Sequence, residues 1–118
     1  MADLPTRIEI FEEGPREGFQ IEKGPIATAR KIELIDALSQ TGVKTMQIVS
    51  FVNPRLVPGM ADADEVVAGI SPKPGVSYRG LWLNSQGFER ARATGRLDLR
   101  GSIGLAASET FLKRNQNR

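Results

Sequence analysis

Cysteine and histidine are both absent from this 118-residue chain. Without cysteine there is no disulfide, no thiolate metal site and no thiol nucleophile. Without histidine the usual proton shuttle and the commonest transition-metal ligand are missing. A metal held by these residues alone would need oxygen ligands, which favours a hard cation such as Mg²⁺. No apolar run approaches the roughly 20 residues needed to cross a bilayer. Met1 to Thr6 lacks the apolar core of a signal peptide, so the cytoplasm is the expected compartment. Neither sign of charge dominates: 16 basic and 14 acidic residues are interspersed at a net +2, leaving no nucleic-acid stripe and no membrane-surface patch. Phosphate loops, dinucleotide fingerprints and Ser-His-Asp arrangements are missing too. There is no low-complexity tract.

What remains is an ordinary globular composition, 40% hydrophobic and 25% charged, in a chain sized for one domain with a real core. Arg7 to Phe11 alternates apolar and polar residues and predicts a first strand, followed by a Gly/Pro-bearing loop from Glu13 to Pro25. Thr28 can cap a helix along which Ile32, Ile35 and Leu38 recur at helical spacing, and Gly42 sits where a C-terminal capping glycine belongs. Val43 to Val52 is more continuously apolar, as suits a strand buried on both faces. After a loop marked by Asn53-Pro54 and Pro58-Gly59, Asp62 or Asp64 starts a short helix through Ile70. Val76 to Leu83 predicts a third strand with Tyr78 and Trp82 in the core, and Asn84 or Ser85 caps a helix that Gly95 ends. Leu97 to Leu105 predicts a fourth strand, and Ser108 opens a fourth helix running to Arg118.

Each strand-helix unit spans about 30 residues, which argues for a parallel sheet with right-handed crossovers. Two closed architectures satisfy that rhythm, a small doubly wound domain and part of a (β/α)₈ barrel. A complete barrel needs about 250 residues. The expectation is therefore an α/β fold comprising the first four βα units of a TIM barrel, residues 1–118 forming its N-terminal half. Ending inside a helix at Lys113 to Arg118 favours that second solution.

Barrels keep their chemistry where parallel strands end. The segment Glu13-Gly14-Pro15-Arg16-Glu17-Gly18-Phe19-Gln20 places a guanidinium beside a carboxylate at such a point. Arg16 can stabilise a developing oxyanion and Glu17 can hold a divalent cation; the pair also fits a solvated ion pair on a turn. Gln47 alternates with Thr45 and Val49 along the second strand, where its amide can orient a substrate or Arg16, or satisfy a polar position in the core. Ser50 and Asn53 follow at that strand's carboxyl end, and Asn84 and Ser108-Glu109 end the third and fourth strands. Each fits a turn or cap as well as a substrate contact. Lys113-Arg114 can meet an anionic group or form a solvated helix face.

Four linked stretches, GPREGFQ-IEKGPI, KIELIDALSQTG, SFVNPRLVPGMAD and AASETFLKRN, give the chain a resemblance to the hydroxymethylglutaryl-CoA lyase family of metal-dependent lyase and Claisen-condensing barrels. The resemblance runs from Gly14 to Asn117. It implies cleavage of 3-hydroxy-3-methylglutaryl-CoA into acetyl-CoA and acetoacetate, with a divalent metal, Mg²⁺ or Mn²⁺, on the substrate oxygens. By position, Arg16 matches the arginine that neutralises developing negative charge. Glu17 falls on an aspartate metal ligand and Gln47 on a catalytic glutamate. Gln20, Ser50, Asn53 and Asn84 complete the expected site as substrate contacts. The remaining metal ligands, two histidines and an asparagine, and a catalytic cysteine would lie beyond this chain. The expected partner is an acyl-CoA substrate, without nucleic acid or membrane and with room for a homo-oligomer. The alternative is a non-catalytic or substrate-divergent relative, or a half-barrel that assembles with a partner.

Overall fold

The computed structural model describes residues 3–102 and 104–116, the side chain of Gln116 excepted. Its frame is a three-stranded parallel sheet in the order β1 (Phe11–Glu12), β2 (Thr45–Ser50), β3 (Ser77–Leu81). Between the strands run α1 (Gly14–Ile21), α2 (Thr28–Ser39) and α3 (Ala63–Gly69), the last preceded by a 3₁₀ turn at Pro58–Met60. After β3 come α4 (Ser85–Ala93) and a short α5 (Glu109–Phe111) that continues as a π-helical turn, Leu112–Gln116.

The sheet has two unlike faces. Met46 of β2 pairs with Tyr78 of β3, and both are buried with Ile48 against the helices. Ile35, Met60, Val66 and Val67 close that core from the helical side. Thr45 pairs with Ser77 and Gln47 with Arg79 on the opposite face, with Phe11 beside Thr45. A register shift between Gln47 and Val49 breaks the alternation, so that Ile48, Val49 and Ser50 are all buried. Such a bulge re-aims side chains at a strand's end.

Two cationic side chains tie the helical layer together. Lys31, almost wholly buried on α2, donates to Asp62 and to the Gly59 carbonyl, each at 2.6 Å, and Thr28 donates to Asp62 at 2.7 Å. The Arg96 guanidinium donates to the carbonyls of Val67, Ala68 and Ile70, which the end of α3 leaves without helical partners.

Three expectations need correction. The stretch from Glu13 is not a loop throughout, because α1 occupies Gly14–Ile21. Pro15 sits in the first turn, where its missing N–H is not needed, and buried Phe19 anchors the helix, stabilising it by about 1.5–3 kcal/mol. The first strand is only Phe11–Glu12: Ile8 and Ile10 are exposed, so nothing buries the apolar positions that would make the alternation useful. The fourth strand does not form among the described residues. Leu97 and Leu99 pack on the core and the Asp98 N–H donates to the Tyr78 carbonyl at 2.8 Å, but no ladder follows. Ile103, within that expected strand, and Asn117 and Arg118, at the end of the expected fourth helix, lie outside the described residues, as do residues 1 and 2.

Candidate functional site

β1 ends directly before α1, and this sharp strand-to-helix turn carries Arg16 over the carboxyl end of the sheet. Pro15 and Arg16 are buried although the turn itself lies near solvent. The guanidinium is held from three sides. Nε donates to the Gln47 Oε1 at 2.6 Å, Nη2 to the Glu13 Oε2 at 2.9 Å, and Nη1 lies 2.7 Å from the Glu17 Oε1. Arginine and the amide from β2 are thereby locked together, while the two carboxylates compensate the cation from its solvent side. Glutamine cannot ionise, so Gln47 orients Arg16 without cancelling its charge.

Gln20, one turn further along α1, accepts from the Ser50 hydroxyl at 3.3 Å, which brings a second polar pair to the same end of β2. Among the described residues Asn53 and Asn84 make only local hydrogen bonds: Asn53 Oδ1 accepts from the Arg55 N–H at 2.9 Å, and Asn84 Oδ1 accepts from the Gly87 N–H at 2.8 Å as the cap of α4. Ser108 caps α5 in the same way, accepting from the Phe111 N–H, and Lys113 and Arg114 are exposed. Arg16, Gln47, Glu17, Gln20 and Ser50 therefore gather at one rim, and the asparagines stand at its margin.

Two contributors escaped the sequence reading. Glu13 is three residues before Arg16, a spacing at which side chains meet on a helix, and would have been visible had the start of α1 been recognised. Arg79 pairs with Gln47 across the sheet, and the alternation Ser77-Tyr78-Arg79-Gly80 already hinted that it leaves the core face. Both line a cleft of about 150 Å³ that also touches Phe11, Gln47 and Trp82.

A metal fit can be judged from the carboxylates. Glu17 is half-exposed and spends one oxygen on Arg16, leaving the other for a cation. No group of three His, Cys, Asp or Glu comes together among the described residues. One ligand does not make a cation site, so the described residues can contribute to a metal site but do not build one.

A parallel sheet with helical crossovers and a polar rim at its carboxyl ends fits a segment of a (β/α)₈ barrel, an architecture that keeps its chemistry at that rim. No family model matches the chain. It is, however, 50% identical over 114 residues to the mitochondrial hydroxymethylglutaryl-CoA lyase of Gallus gallus, an overlap covering 97% of this chain and 38% of the relative. It is 45% identical over 115 residues to the 3-hydroxy-3-isohexenylglutaryl-CoA/hydroxy-methylglutaryl-CoA lyase of Pseudomonas aeruginosa, covering 98% and 38%. The crystal structure of the lyase from Brucella melitensis superposes with a TM-score of 0.87 at 42% identity, over 94% of this chain and 38% of that one. Over nearly its whole length the chain is thus similar to hydroxymethylglutaryl-CoA lyases, and it spans little more than a third of the length of these relatives. Relatives named as mitochondrial and as cytoplasmic both match. No helix among the described residues is long and apolar enough to cross a membrane.

Proposed function

We propose that this chain supplies the first part of the active site of a carbon–carbon lyase that cleaves hydroxymethylglutaryl-CoA to acetyl-CoA and acetoacetate. The observation that carries this reading is the Arg16 guanidinium fixed at the carboxyl rim of a parallel sheet by Gln47. In such a cleavage the substrate hydroxyl loses its proton, the carbon–carbon bond breaks as a ketone forms, and the bonding pair passes to the acetyl-CoA enolate. A preoriented cation is most effective where that negative charge develops. Arg16 commits three contacts to protein and keeps further N–H groups for a substrate oxygen. Gln47 acts as its positioning residue.

Gln20 and Ser50 border the substrate in this reading. Asn53 and Asn84 form its outer edge through amide N–H groups that have no partner among the described residues. A divalent cation, Mg²⁺ or Mn²⁺, belongs to the same reading, with Glu17 as the ligand from this chain and the others from outside it. The proton acceptor also comes from outside, since Gln47 has no basic form and Glu13 and Glu17 are tied to Arg16. The 118-residue chain alone is accordingly expected to release no acetyl-CoA. A cytoplasmic setting draws on the relatives named as cytoplasmic.

The test is a barrel completed with the C-terminal part of a curated relative, assayed for acetyl-CoA release with Mg²⁺. Metal-dependent release is expected, and Arg16→Gln should lower it roughly 10²–10³-fold with the fold retained by circular dichroism. A folded, metal-binding barrel without turnover overturns the reading. The amide at Gln47 and the Glu17 oxygen held 2.7 Å from Arg16 favour a second reading, a substrate-divergent or non-catalytic relative. The open edge of β1, with Ile8 and Ile10 exposed beside it, suits its variant of assembly with a partner. Calorimetry on the completed barrel that detects no Mg²⁺ or Mn²⁺ binding would favour this second reading.

A further inference from the structure

The open face of the sheet carries a second arginine that the lyase chemistry above does not use. Arg79 is the direct register partner of Gln47, the residue that orients Arg16. Its guanidinium lies over the Phe11 ring at 5.4 Å, a stacking contact that restrains the plane of the group. Its charge is poorly matched. The nearest carboxylate, Asp98, is 3.5 Å from Nε, and Asp98 already accepts from the Ser77 hydroxyl at 2.6 Å and from Arg100 at 2.6–3.0 Å. Glu13, the acid that lines the cleft, is spent on Arg16. The Arg79 Nε is buried and has no hydrogen-bond partner among the described residues.

A buried donor on a cation without an acceptor is costly to the fold. The remaining side of the Arg79 guanidinium opens into the cleft of about 150 Å³ shared with Gln47. A planar guanidinium is matched in shape and charge by a carboxylate, which takes two parallel N–H groups. We propose that Arg79 is a specificity-determining residue of the site, binding a carboxylate at the acid end of the substrate while Arg16 serves the reacting end. The identity of that substrate rests on the lyase reading, whereas the binding itself does not.

Trp82, the single tryptophan of the chain, lines the same cleft and reports on it. Titrating the 118-residue chain with glutarate should change its fluorescence saturably, and neutral glutaramide should not. Arg79→Gln should weaken glutarate binding by about tenfold or more, the effect of losing a charge-assisted pair, while Arg30→Gln on the far side of α2 should leave it unchanged. Should Arg79→Gln fail to fold, the Arg79 Nε–H resonance of the unsubstituted chain must move on glutarate addition. No saturable signal, equal binding by Arg79→Gln, a stationary Nε–H resonance, or an equal response to inorganic phosphate overturns the proposal. Absence of cleavage in the completed barrel sinks the lyase reading and leaves this one standing.

Discussion

The two faces of the small sheet are built on opposite plans. Toward the helices, Met46, Ile48 and Tyr78 are buried in a continuous apolar layer. Toward the other side, Thr45, Gln47, Ser77 and Arg79 present hydroxyls, an amide and a cation, all only partly covered. A soluble protein with one solvated sheet face shows a similar alternation. Here, however, the polar side chains engage one another: Gln47 holds Arg16, and Ser77 donates to an aspartate that Arg100 also grips. One face supplies stability, and the other is organised around charge.

The largest effect expected is on the buried face. Ile48→Ala should cost about 2–5 kcal/mol, the transfer term plus a cavity, whereas Thr45→Ala, its neighbour on the other face, should cost under about 1 kcal/mol. Urea unfolding of both variants at constant m-value checks this. Equal losses would mean that the polar face is also a closed core, and the contrast between faces would fail.

Much of the buried face was legible in the chain. The spacing Ile32, Ile35, Leu38 gave α2, the apolar run around Ile48 gave β2, and Asn84 did cap the following helix. Gly42 and Gly95 do take positive φ after α2 and α4, where a side chain would be strained. The failures cluster where burial does not decide. Gly14, Pro15 and Gly18 read as loop formers, but proline early in a helix is harmless and Phe19 had a pocket to fill. Arg7–Phe11 and Leu97–Leu105 were both expected as strands, yet Ile8, Ile10 and Leu105 are exposed, so those apolar positions had no covering layer to act through. On the rim, Arg16, Glu17 and Gln47 were visible as residue types. The Glu13 contact depended on a helix that had not been foreseen, and the placement of Arg79 beside Gln47 depended on a register that no local pattern fixes.

A smaller effect sharpens the other half of the contrast. Gln47→Ala leaves the Arg16 Nε without its acceptor in a partly buried place and should cost about 1–2 kcal/mol. In the completed barrel it should lower turnover more than substrate affinity, because a displaced Arg16 misses the developing charge. Gln47→Glu restores an acceptor and should recover the stability. A Gln47→Ala variant with unchanged turnover would remove Gln47 from the site and leave it a polar residue of the sheet.

The smallest effect separates the faces by acid and salt. Burial pushes the Asp62 carboxyl up, but the hydrogen bonds from Lys31 and Thr28 and the Lys31 charge outweigh it, so the group sits below its ordinary 3.8. At Asp98 the hydrogen bonds from Arg100 and Ser77 prevail over burial and lower it strongly. A depressed folded-state pKa contributes stability above the unfolded value, which fades as pH falls below about 4. Both aspartates should therefore leave stability flat from neutrality down to that point and erode it below. Their salt responses differ. Arg100 is largely exposed, so its grip on Asp98 weakens when about 1 M salt shortens screening to about 3 Å. Lys31 is almost wholly buried behind Asp62 and is screened far less. Acid unfolding of Asp62→Asn should lose part of the fall below pH 4 at either ionic strength, and Asp98→Asn should differ from the parent more at low salt than at high. Matching salt responses from the two variants would show that water and ions reach both sides of the sheet alike.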